Sequence, residues 1–408
     1  MKVAAVIAEY NPLHKGHAYQ LDQVRQRSGA DYILVLMSGD FVQRGAPAIL
    51  DKYLRSEMAL LCGADLVLEL PCACATASAP RFAQGAVALL EGLGVVDQLW
   101  FGSEEGRIEP FLALADILTR EPDCYRHFLQ EALSQGHSFP RARMLALTAC
   151  FGQWNLPFTG TEELEAFLSQ PNNILGLAYC QALLESGSSI RPQTLERIGS
   201  GYHSVSLSEP YSSATAIRQH LLGQDSSAIQ DQVPAQIYPL IRQACQDKSC
   251  LWEDDFSLPL RYQLLKETES SLCQYLDLSP DLARRILHLQ NQYASFSQFA
   301  GLLKTRNHTL THIRRALLHI LLGIRTLDGE AACAPTFARM LGLGSCQPLL
   351  TAIKKEGSLP LVSKPSSLPP ASYERDLFAS NLYESVRAMK SQQPFRHEYS
   401  RPMPILQA

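Results

Sequence analysis

The sequence has no apolar run long enough to cross a membrane and no cysteine pair in the C-x-x-C spacing of structural zinc sites. Its 11 cysteines are scattered, which favours a reducing compartment over a disulfide framework. The apolar run after Lys2 is cut short by Glu9, Asn11 and Pro12, so it predicts a strand rather than a signal peptide. We therefore expect a cytoplasmic protein with no membrane partner, and we assign no residue as a metal ligand.

Net charge is also small, at −4 over 408 residues, and alone it does not indicate a nucleic-acid-binding protein. Its distribution is more informative. Residues 301–408 contain 14 Lys+Arg and 7 Asp+Glu, giving +7, whereas the rest of the chain carries −11. Because phosphate contacts come from local patches, this imbalance predicts a basic C-terminal region suited to an RNA partner.

Short apolar runs alternate with helical patterns in the first hundred residues. Strands are predicted at 3–7, 32–37, 66–70 and 98–101, with helices between them at 17–28, 52–62 and 80–93. Alternation of this kind predicts an α/β fold with a doubly wound parallel sheet. Residues 107–185 are predicted to be mainly helical, and a short strand is expected near 195–198. Beyond the polar segment 223–235, the chain is again predicted to be mainly helical. We expect one domain over 1–230 and a second, mainly helical and basic, over 231–408.

The stretch from His14 to His17, with the sequence HKGH, follows the first predicted strand. Asn11-Pro12 stops that strand, and a helix is expected to begin near Gly16 or His17. The two imidazoles would then lie at the carboxyl end of a strand and the amino end of a helix, where an α/β sheet binds phosphate. Glycine between them lets a phosphate approach the backbone. The alternative is a turn with two structurally bonded histidines.

Polar residues at the ends of the next elements are candidates for the same rim. Asp40 can orient a ligand hydroxyl, a lysine or a metal, or can cap a turn. Arg44 can meet a phosphate or a carboxylate, or can be a surface arginine. Lys52 and Arg55 are one helical turn apart and can add cations to the same rim, but we expect them on a solvated helix face.

Three further positions suit a nucleotide. Gly102 ends the fourth strand and leaves room for a ring or ribose against bare backbone, unless it is an ordinary turn glycine. Asn172 and Asn173 follow a proline, so one is expected to cap a helix and the other to contact an adenine edge or a ribose. The sequence leaves that choice open, with a small preference for Asn172 as the contact.

Two cationic helices complete the candidates. SSATAIR at 212–218 places hydroxyls at a helix start and Arg218 further along, which makes a second anion site or a plain capped helix. The leucine-striped helix at 309–322 carries Arg314 and Arg315 off its stripe, preceded by Lys304 and Arg306. These four cations can grip an RNA backbone or form a solvated face.

The longer motifs carry a resemblance. EYNPLHKGH at 9–17, MSGDFVQRG at 37–45, GADLVLELP at 63–71 and PNNILG at 171–176 together resemble the bacterial tRNA(Met) cytidine acetate ligase family. HxGH alone is similar to the nucleotidyltransferase superfamily, and 212–218 resembles its ISSTxIR motif with Ala214 in place of one hydroxyl. The resemblance spans essentially the whole chain and implies a Rossmann-like nucleotidyltransferase domain at the N-terminus.

This resemblance also implies roles for individual residues. His14, His17 and Arg218 are expected to be catalytic, with the histidines at the α-phosphate and Arg218 at the β- and γ-phosphates. ATP contacts are expected from Ile7, Ala8, Glu9, Tyr10, Asn11, Pro12, Leu13, His14, Lys15, Gly16, His17, Ala18, Tyr19 and Gln20, and from Gly102, Asn172, Asn173, Arg197 and Ile198. Contacts with tRNA are expected from Lys304, Arg306, Arg314 and Arg315.

The function that the resemblance implies is an ATP-dependent ligase that forms a carbon–nitrogen bond. It would adenylate acetate to acetyl-AMP and transfer the acetyl group to N4 of the wobble cytidine of elongator tRNA(Met), giving N4-acetylcytidine. Mg²⁺ is expected with ATP, held mainly by phosphates and water. The residues themselves leave two alternatives open: a small-molecule adenylyltransferase that forms a dinucleotide, and a non-catalytic adaptor that binds nucleotide and RNA.

Overall fold

The computed structural model describes residues 1–198, 211–222, 226–305 and 308–406. Within them the strands are β1 (Val3–Ala8), β2 (Tyr32–Ser38), β3 (Phe41–Val42), β4 (Ala46–Pro47), β5 (Leu66–Leu70), β6 (Gln98–Ser103), β7 (Arg191–Glu196), β8 (Ala338–Leu343) and β9 (Leu361–Val362). The α-helices are α1 (Lys15–Ser28), α2 (Lys52–Leu61), α3 (Cys72–Ala75), α4 (Ala79–Gly92), α5 (Glu109–Arg120), α6 (Asp123–Ser134), α7 (Phe139–Ala149), α8 (Thr161–Ser169), α9 (Pro171–Glu185), α10 (Ala214–Leu222), α11 (Tyr238–Gln246), α12 (Ser257–Leu264), α13 (Glu269–Leu272), α14 (Pro280–Leu289), α15 (Phe296–Leu303), α16 (Leu310–Leu322), α17 (Thr326–Ala332), α18 (Gln347–Glu356) and α19 (Pro370–Ser391). Short 3₁₀ helices lie at Phe151–Gln153, Ser227–Gln232, Glu253–Phe256, Gln290–Gln292, Pro365–Ser367 and Glu398–Ser400.

The chain divides into two compact units, and the first contains Met1–Val96 and Ile198–Ala408. Its sheet runs in the order β1-β2-β5-β8-β9. Strands β1, β2 and β5 are parallel, β8 is antiparallel to β5, and β9 is parallel to β8. Nearly every residue of the three parallel strands is buried, as expected of strands covered on both faces. The α/β fold with a parallel sheet is therefore confirmed.

The second unit, Asp97–Arg197, pairs β6 with β7 in parallel and surrounds them with α5 to α9. Helix α9 approaches β6 and α5 closely at Gly176, where any side-chain carbon would overlap the rings of Phe101 and Phe111. Glycine is needed here for packing, so the PNNILG motif serves the core of this unit as well as its rim.

The predicted elements of the first hundred residues are confirmed within a few residues, but two features of the sheet differ. The short strand expected near 195–198 is β7 and begins earlier, at Arg191. Strand β8 lies in a region predicted to be helical and pairs with β5. Strand β9 lies in the Ser- and Pro-rich stretch 356–370, for which the sequence predicts an extended loop, and pairs with β8. The apolar stretch at 338–343 is too short for its period to separate a strand from a helix. The boundary expected at 230 stays a prediction.

The region beyond 230 is otherwise helical, as predicted, and its core is continuous with a hairpin near the N-terminus. On α16 the stripe residues Ile313, Leu317 and Ile320 are buried, and Gly323 ends the helix in the left-handed conformation. Phe41 of the β3–β4 hairpin belongs to the same hydrophobic cluster as these helices. In the described part of the chain, no helix is both long and apolar enough to cross a membrane.

The cysteines depart from the sequence prediction at one pair. Cys124 of α6 and Cys150, directly after α7, form a disulfide with their Cα atoms 6.4 Å apart. The other nine cysteines are free thiols, and most of them are buried. Scattered spacing alone could not reveal this pair, because the two residues are 26 positions apart and meet only when α6 packs on α7.

A buried ammonium group ties the N-terminal sheet to the C-terminal helix. Lys52 is fully buried, and its Nζ lies 2.8 Å from an oxygen of Glu69 on β5 and 2.9 Å from one of Glu398. It also donates to Ser380 and Tyr373 of α19. Burial disfavours the charge, but the two carboxylates outweigh it and raise the pKa of Lys52 well above its ordinary value. The prediction of a solvated lysine here is wrong.

Asp40, two residues after β2, is another buried ionisable residue of this region. Its Oδ1 accepts a hydrogen bond from the backbone N–H of Lys52 at 2.8 Å, so it satisfies a donor at the start of α2. Burial raises the pKa of the Asp40 carboxyl to about 6, against the opposing charges of Lys52 and Arg401. Of the roles left open by the sequence, a backbone cap is the nearest, but the N–H that Asp40 binds belongs to Lys52 rather than to the turn that follows Asp40.

Replacing Lys52 is expected to destabilise the fold strongly. Lys52→Met leaves Glu69 and Glu398 buried without their cation, which should lower the free energy of unfolding by about 3–5 kcal/mol. Urea unfolding measures this loss. Lys355→Met on the exposed side of α18 is the matched control and should stay within about 0.5 kcal/mol of the wild type. A Lys52→Met loss no larger than the control's would contradict the account.

Asp40→Asn is expected to stabilise the protein at neutral pH. Because the pKa is raised, ionisation of Asp40 in the folded protein lowers the free energy of unfolding. This loss is absent below the unfolded pKa of 3.8 and complete above about pH 6. Asparagine keeps an oxygen for the Lys52 N–H and removes that charge. The variant should gain roughly 1–3 kcal/mol at pH 7.5 and nothing below about pH 4 in urea titrations. For the exposed control Asp247→Asn, the difference in free energy of unfolding from the wild type should not vary with pH. A gain in stability for Asp40→Asn that does not change with pH would refute the assignment.

Candidate active site

The turn after β1 departs from ordinary backbone geometry. Tyr10 has a positive φ of 47°, and the Asn11–Pro12 peptide bond is cis. The Asn11 side chain accepts a hydrogen bond from the backbone N–H of Ile49 at 2.8 Å, which holds the turn against the segment before α2. Non-glycine residues in the left-handed region cluster at functional sites, where the surrounding structure holds them. The chain then enters α1 at Lys15, slightly before the predicted start.

The two imidazoles lie together at the amino end of α1. His14 is its N-cap, with Nδ1 accepting from the N–H of Gly16 at 3.1 Å. The rings of His14 and His17 stack with centroids 3.8 Å apart, and the Tyr10 ring meets His17 edge-on. Because Nδ1 of His14 accepts, the neutral ring carries its proton on Nε2, which makes that atom the donor. A side-chain carbon at Gly16 would come within 3.0 Å of the His14 ring, so glycine at this position keeps the ring in place.

Arg55 supports this turn from beneath and was not expected to do so. Its guanidinium is fully buried and donates to the carbonyl oxygens of Glu9, Ser38, Gly39 and Leu50. Three of these carbonyls, those of Glu9, Ser38 and Gly39, lie at the ends of β1 and β2, so one side chain fixes the ends of both strands at the rim. The prediction of a solvated Arg55 is wrong. A helix whose polar residues recur at helical spacing gives no sequence signal for burial of this kind.

The 211–218 segment lies against the same turn. The Tyr211 ring packs on Tyr19 of α1 with centroids 5.6 Å apart, and its Cβ is a close neighbour of Gly16. The structure therefore brings the HKGH turn and the ISSTxIR-like segment together in the first unit. The sequence could place the two only separately. This proximity is what a ligand with several phosphates would need.

Within that segment a cap and a guanidinium are arranged as the motif suggests. The Ser213 hydroxyl accepts from the N–H of Ala216 at 3.1 Å and caps α10. Arg218 donates to the Asn11 carbonyl oxygen at 2.7 Å and to the Thr215 hydroxyl at 3.1 Å. Arg44 reaches the same hydroxyl at 3.2 Å, a contact that no spacing in the sequence could indicate.

In the second unit the two asparagines have different roles. Asn173 is buried; its side-chain oxygen accepts from the N–H groups of Glu104 and Glu105, and its amide donates to Phe167. It thus holds the turn after β6. Asn172 is less buried and donates to the Glu104 carboxylate at 2.6 Å. Neither caps α9, whose N-cap position is occupied by Gln170, so the expected asparagine cap is wrong.

Gly102 and Arg197 are neighbours in the same unit. The Arg197 side chain passes over Gly102, where a Cβ would lie 3.3 Å from its Cγ, and the Arg197 N–H donates to the Ser103 carbonyl oxygen. Two of the positions predicted to contact ATP therefore lie side by side. Ile198 is 48% exposed.

The predicted RNA-binding cations occupy different environments. Arg314 pairs with Glu253 at 2.7 Å and Arg315 with Asp277 at 2.9 Å, whereas Lys304 is exposed. Arg306 lies outside the described residues. The positive charges of Arg314 and Arg315 are therefore partly neutralised by these carboxylates. Counting charges along the sequence did not reveal this pairing.

Metal-binding side chains are not clustered in the described residues: no group of three or more His, Cys, Asp or Glu is placed to hold an ion.

Comparison with known proteins identifies the family of this chain. The model of the HIGH Nucleotidyl Transferase family matches residues 1–398. A tRNA(Met) cytidine acetate ligase of Acetivibrio thermocellus is 37% identical over 94% of this chain and 94% of its own length, and one of Caldanaerobacter subterraneus subsp. tengcongensis is 37% identical over 94% and 95%.

Two solved structures of Thermotoga maritima TmcAL cover 100% of both chains at 31% identity. The apo form I has a TM-score of 0.94, and form II, bound with alpha-thio ATP, has a TM-score of 0.91. Because the family model and these relatives span nearly the whole chain, the protein belongs to the HIGH nucleotidyl transferase family and, within it, to the tRNA(Met) cytidine acetate ligases.

Proposed function

We propose that this protein is an ATP-dependent ligase that acetylates N4 of the wobble cytidine of elongator tRNA(Met), through an acetyl-AMP intermediate. The observation that carries the proposal is the docking of two stacked imidazoles and the Arg218 segment on one turn at the amino end of α1. That geometry suits an attack on the α-phosphate of a nucleoside triphosphate. The name shared by the relatives supports the choice of acetate and of tRNA(Met).

In the first step an acetate oxygen attacks the α-phosphorus of ATP and pyrophosphate leaves, giving acetyl-AMP. The carboxylate is itself the nucleophile, so the protein need not supply one. His14 and His17 donate hydrogen bonds to the α-phosphate oxygens, where negative charge grows in the transition state. Arg218 holds the departing pyrophosphate, and Arg197 contacts the nucleotide.

In the second step the exocyclic N4 of cytidine attacks the acetyl carbonyl. AMP leaves, the nitrogen loses a proton, and N4-acetylcytidine remains. Lys304, Arg306, Arg314 and Arg315 are the cations that we assign to the RNA backbone, the two arginines exchanging their carboxylate partners for phosphates. We expect the protein in the cytoplasm, where a tRNA substrate is found, and we expect Mg²⁺ to accompany ATP, held mainly by phosphates and water.

The dinucleotide-forming and adaptor alternatives are less well supported. A dinucleotide-forming enzyme has no use for a basic C-terminal region, and an adaptor has no use for paired imidazole donors at a phosphate-binding turn.

Loss of His17 is expected to abolish most of the adenylation step. His17→Ala should slow acetate-dependent exchange of labelled pyrophosphate into ATP by about 100- to 1000-fold, because one preorganised donor to the α-phosphate is gone. His17 is preferred to His14, whose removal would also uncap α1. His288→Ala, an exposed histidine of α14, is the control and should exchange normally. Undiminished exchange in His17→Ala would remove the imidazoles from the mechanism.

Transfer to RNA separates the three functions. With ATP, labelled acetate and tRNA(Met) transcript, label should enter RNA and yield N4-acetylcytidine on nuclease digestion. A transcript with uridine at the wobble position is the matched control and should stay unlabelled, since it lacks the amine. A dinucleotide product without labelled RNA would indicate the adenylyltransferase, and binding without pyrophosphate release would indicate the adaptor.

A further inference from the structure

Two guanidinium groups converge on a single hydroxyl beside the nucleotide turn. Arg44 Nη1 lies 3.2 Å and Arg218 Nη2 3.1 Å from the Thr215 oxygen. The other arm of Arg218 donates to the Asn11 carbonyl oxygen, so the pair is anchored at the start of the HKGH turn. Guanidinium groups donate hydrogen bonds in a planar fork that matches phosphate oxygens, so two of them beside one hydroxyl offer several donors to a single anion.

The hairpin that carries Arg44 is fixed on two sides. Toward the nucleotide turn, the N–H of Gln43 donates to the Glu9 carboxylate at 2.9 Å. Toward the helical region, Gly45 has a φ of +75°, and a side-chain carbon there would overlap the backbone of Arg314 and Arg315. The tip of the hairpin is thus held between β1 and α16.

This fixation bears on what Arg44 can bind. The Gly45 N–H closes the hairpin turn on the Val42 carbonyl oxygen at 3.0 Å, so the backbone under Arg44 has little freedom. The side chain is half-buried and lies next to Arg218. A pre-positioned planar fork loses less entropy on binding, and its geometry matches phosphate oxygens.

We propose that Arg44 binds the terminal phosphates of the nucleoside triphosphate together with Arg218, the two guanidinium groups flanking the anion over Thr215. The proposal rests on the ATP-dependent activity proposed above and adds a ligand to its phosphate subsite. It assigns Arg44 to the part of ATP that leaves as pyrophosphate. Arg44 should therefore recognise ATP and pyrophosphate but not AMP.

The test measures nucleotide affinity by titration calorimetry in the full-length protein. Arg44→Ala should bind ATP about 10- to 100-fold more weakly, the loss expected for hydrogen bonds to a charged group, and AMP within a factor of about two of the wild type. Arg44→Lys keeps the charge but not the planar fork, so its affinity for ATP should lie between those of Arg44→Ala and the wild type. Arg27→Ala, an exposed arginine of α1, is the control and should match the wild type.

A kinetic measurement separates ligand contact from a purely structural role. In acetate-dependent exchange, the KM for pyrophosphate should rise about tenfold or more in Arg44→Ala. Unchanged ATP affinity, or an equal loss for ATP and AMP, would overturn the proposal while leaving the enzyme assignment intact. If the wild type bound no ATP, both would fall. Should Arg44→Ala melt at a lower temperature than Arg27→Ala, the affinities are measured in Arg44→Gln, which keeps part of the side-chain length without the charge. A loss of affinity for ATP but not for AMP would then support the proposal, and equal changes for the two nucleotides would overturn it.

Discussion

The candidate site depends on one buried guanidinium. Arg55 lies within α2, yet its donors satisfy carbonyl oxygens at the carboxyl ends of β1 and β2. Burial lowers the pKa of Arg55, so the fold bears a desolvation cost to keep this cation inside. The contacts of Arg55 in turn fix the positions at which two loops begin. The turn that carries both histidines leaves one of those strands, and the loop that leads through Asp40 into the β3–β4 hairpin leaves the other. Hydrophobic burial forms the sheet, but this polar contact sets where its rim lies.

From that rim a series of short contacts links the predicted chemical parts of the first unit. The HKGH turn meets the 211–218 segment at Tyr211 and Arg218, that segment meets the hairpin at Arg44, and the hairpin meets α16 at Gly45. Each contact joins elements that are far apart in sequence. The nucleotide turn and the basic helix are therefore connected through one two-stranded hairpin, so the sequence motifs HKGH, QRG and SSATAIR describe one arrangement seen at three places along the chain.

Local rules predicted most of the fold and part of the site. The periodicity of the apolar residues correctly predicted β1, β2, β5 and α16, because these segments are long or are bounded by residues that end a helix or strand. It missed β8, whose short apolar stretch becomes a strand only by pairing with β5. At the site, the strand-to-helix turn correctly identified His14 as a residue of the helix start. Lys52 and Arg55 were assigned to solvent because nothing in the pattern of a helix tells whether its cations face water or buried partners. Arg44 was left open because its partner Thr215 is 171 positions away. The sequence likewise could not separate the roles of Asn172 and Asn173, because both contact Glu104, which lies far from them along the chain.

The ion cluster around Lys52 has a consequence for the synthesis of the protein on the ribosome. Lys52 is translated early, but its hydrogen-bond acceptor Ser380 follows 328 residues later and Glu398 later still. Until those residues emerge, the nascent N-terminal sheet holds an ammonium whose buried partners are incomplete. Domains usually fold in order as they are translated. Here the N-terminal layer gains the stability of the Lys52 cluster only after α19 and Glu398 have been synthesised and have docked on it.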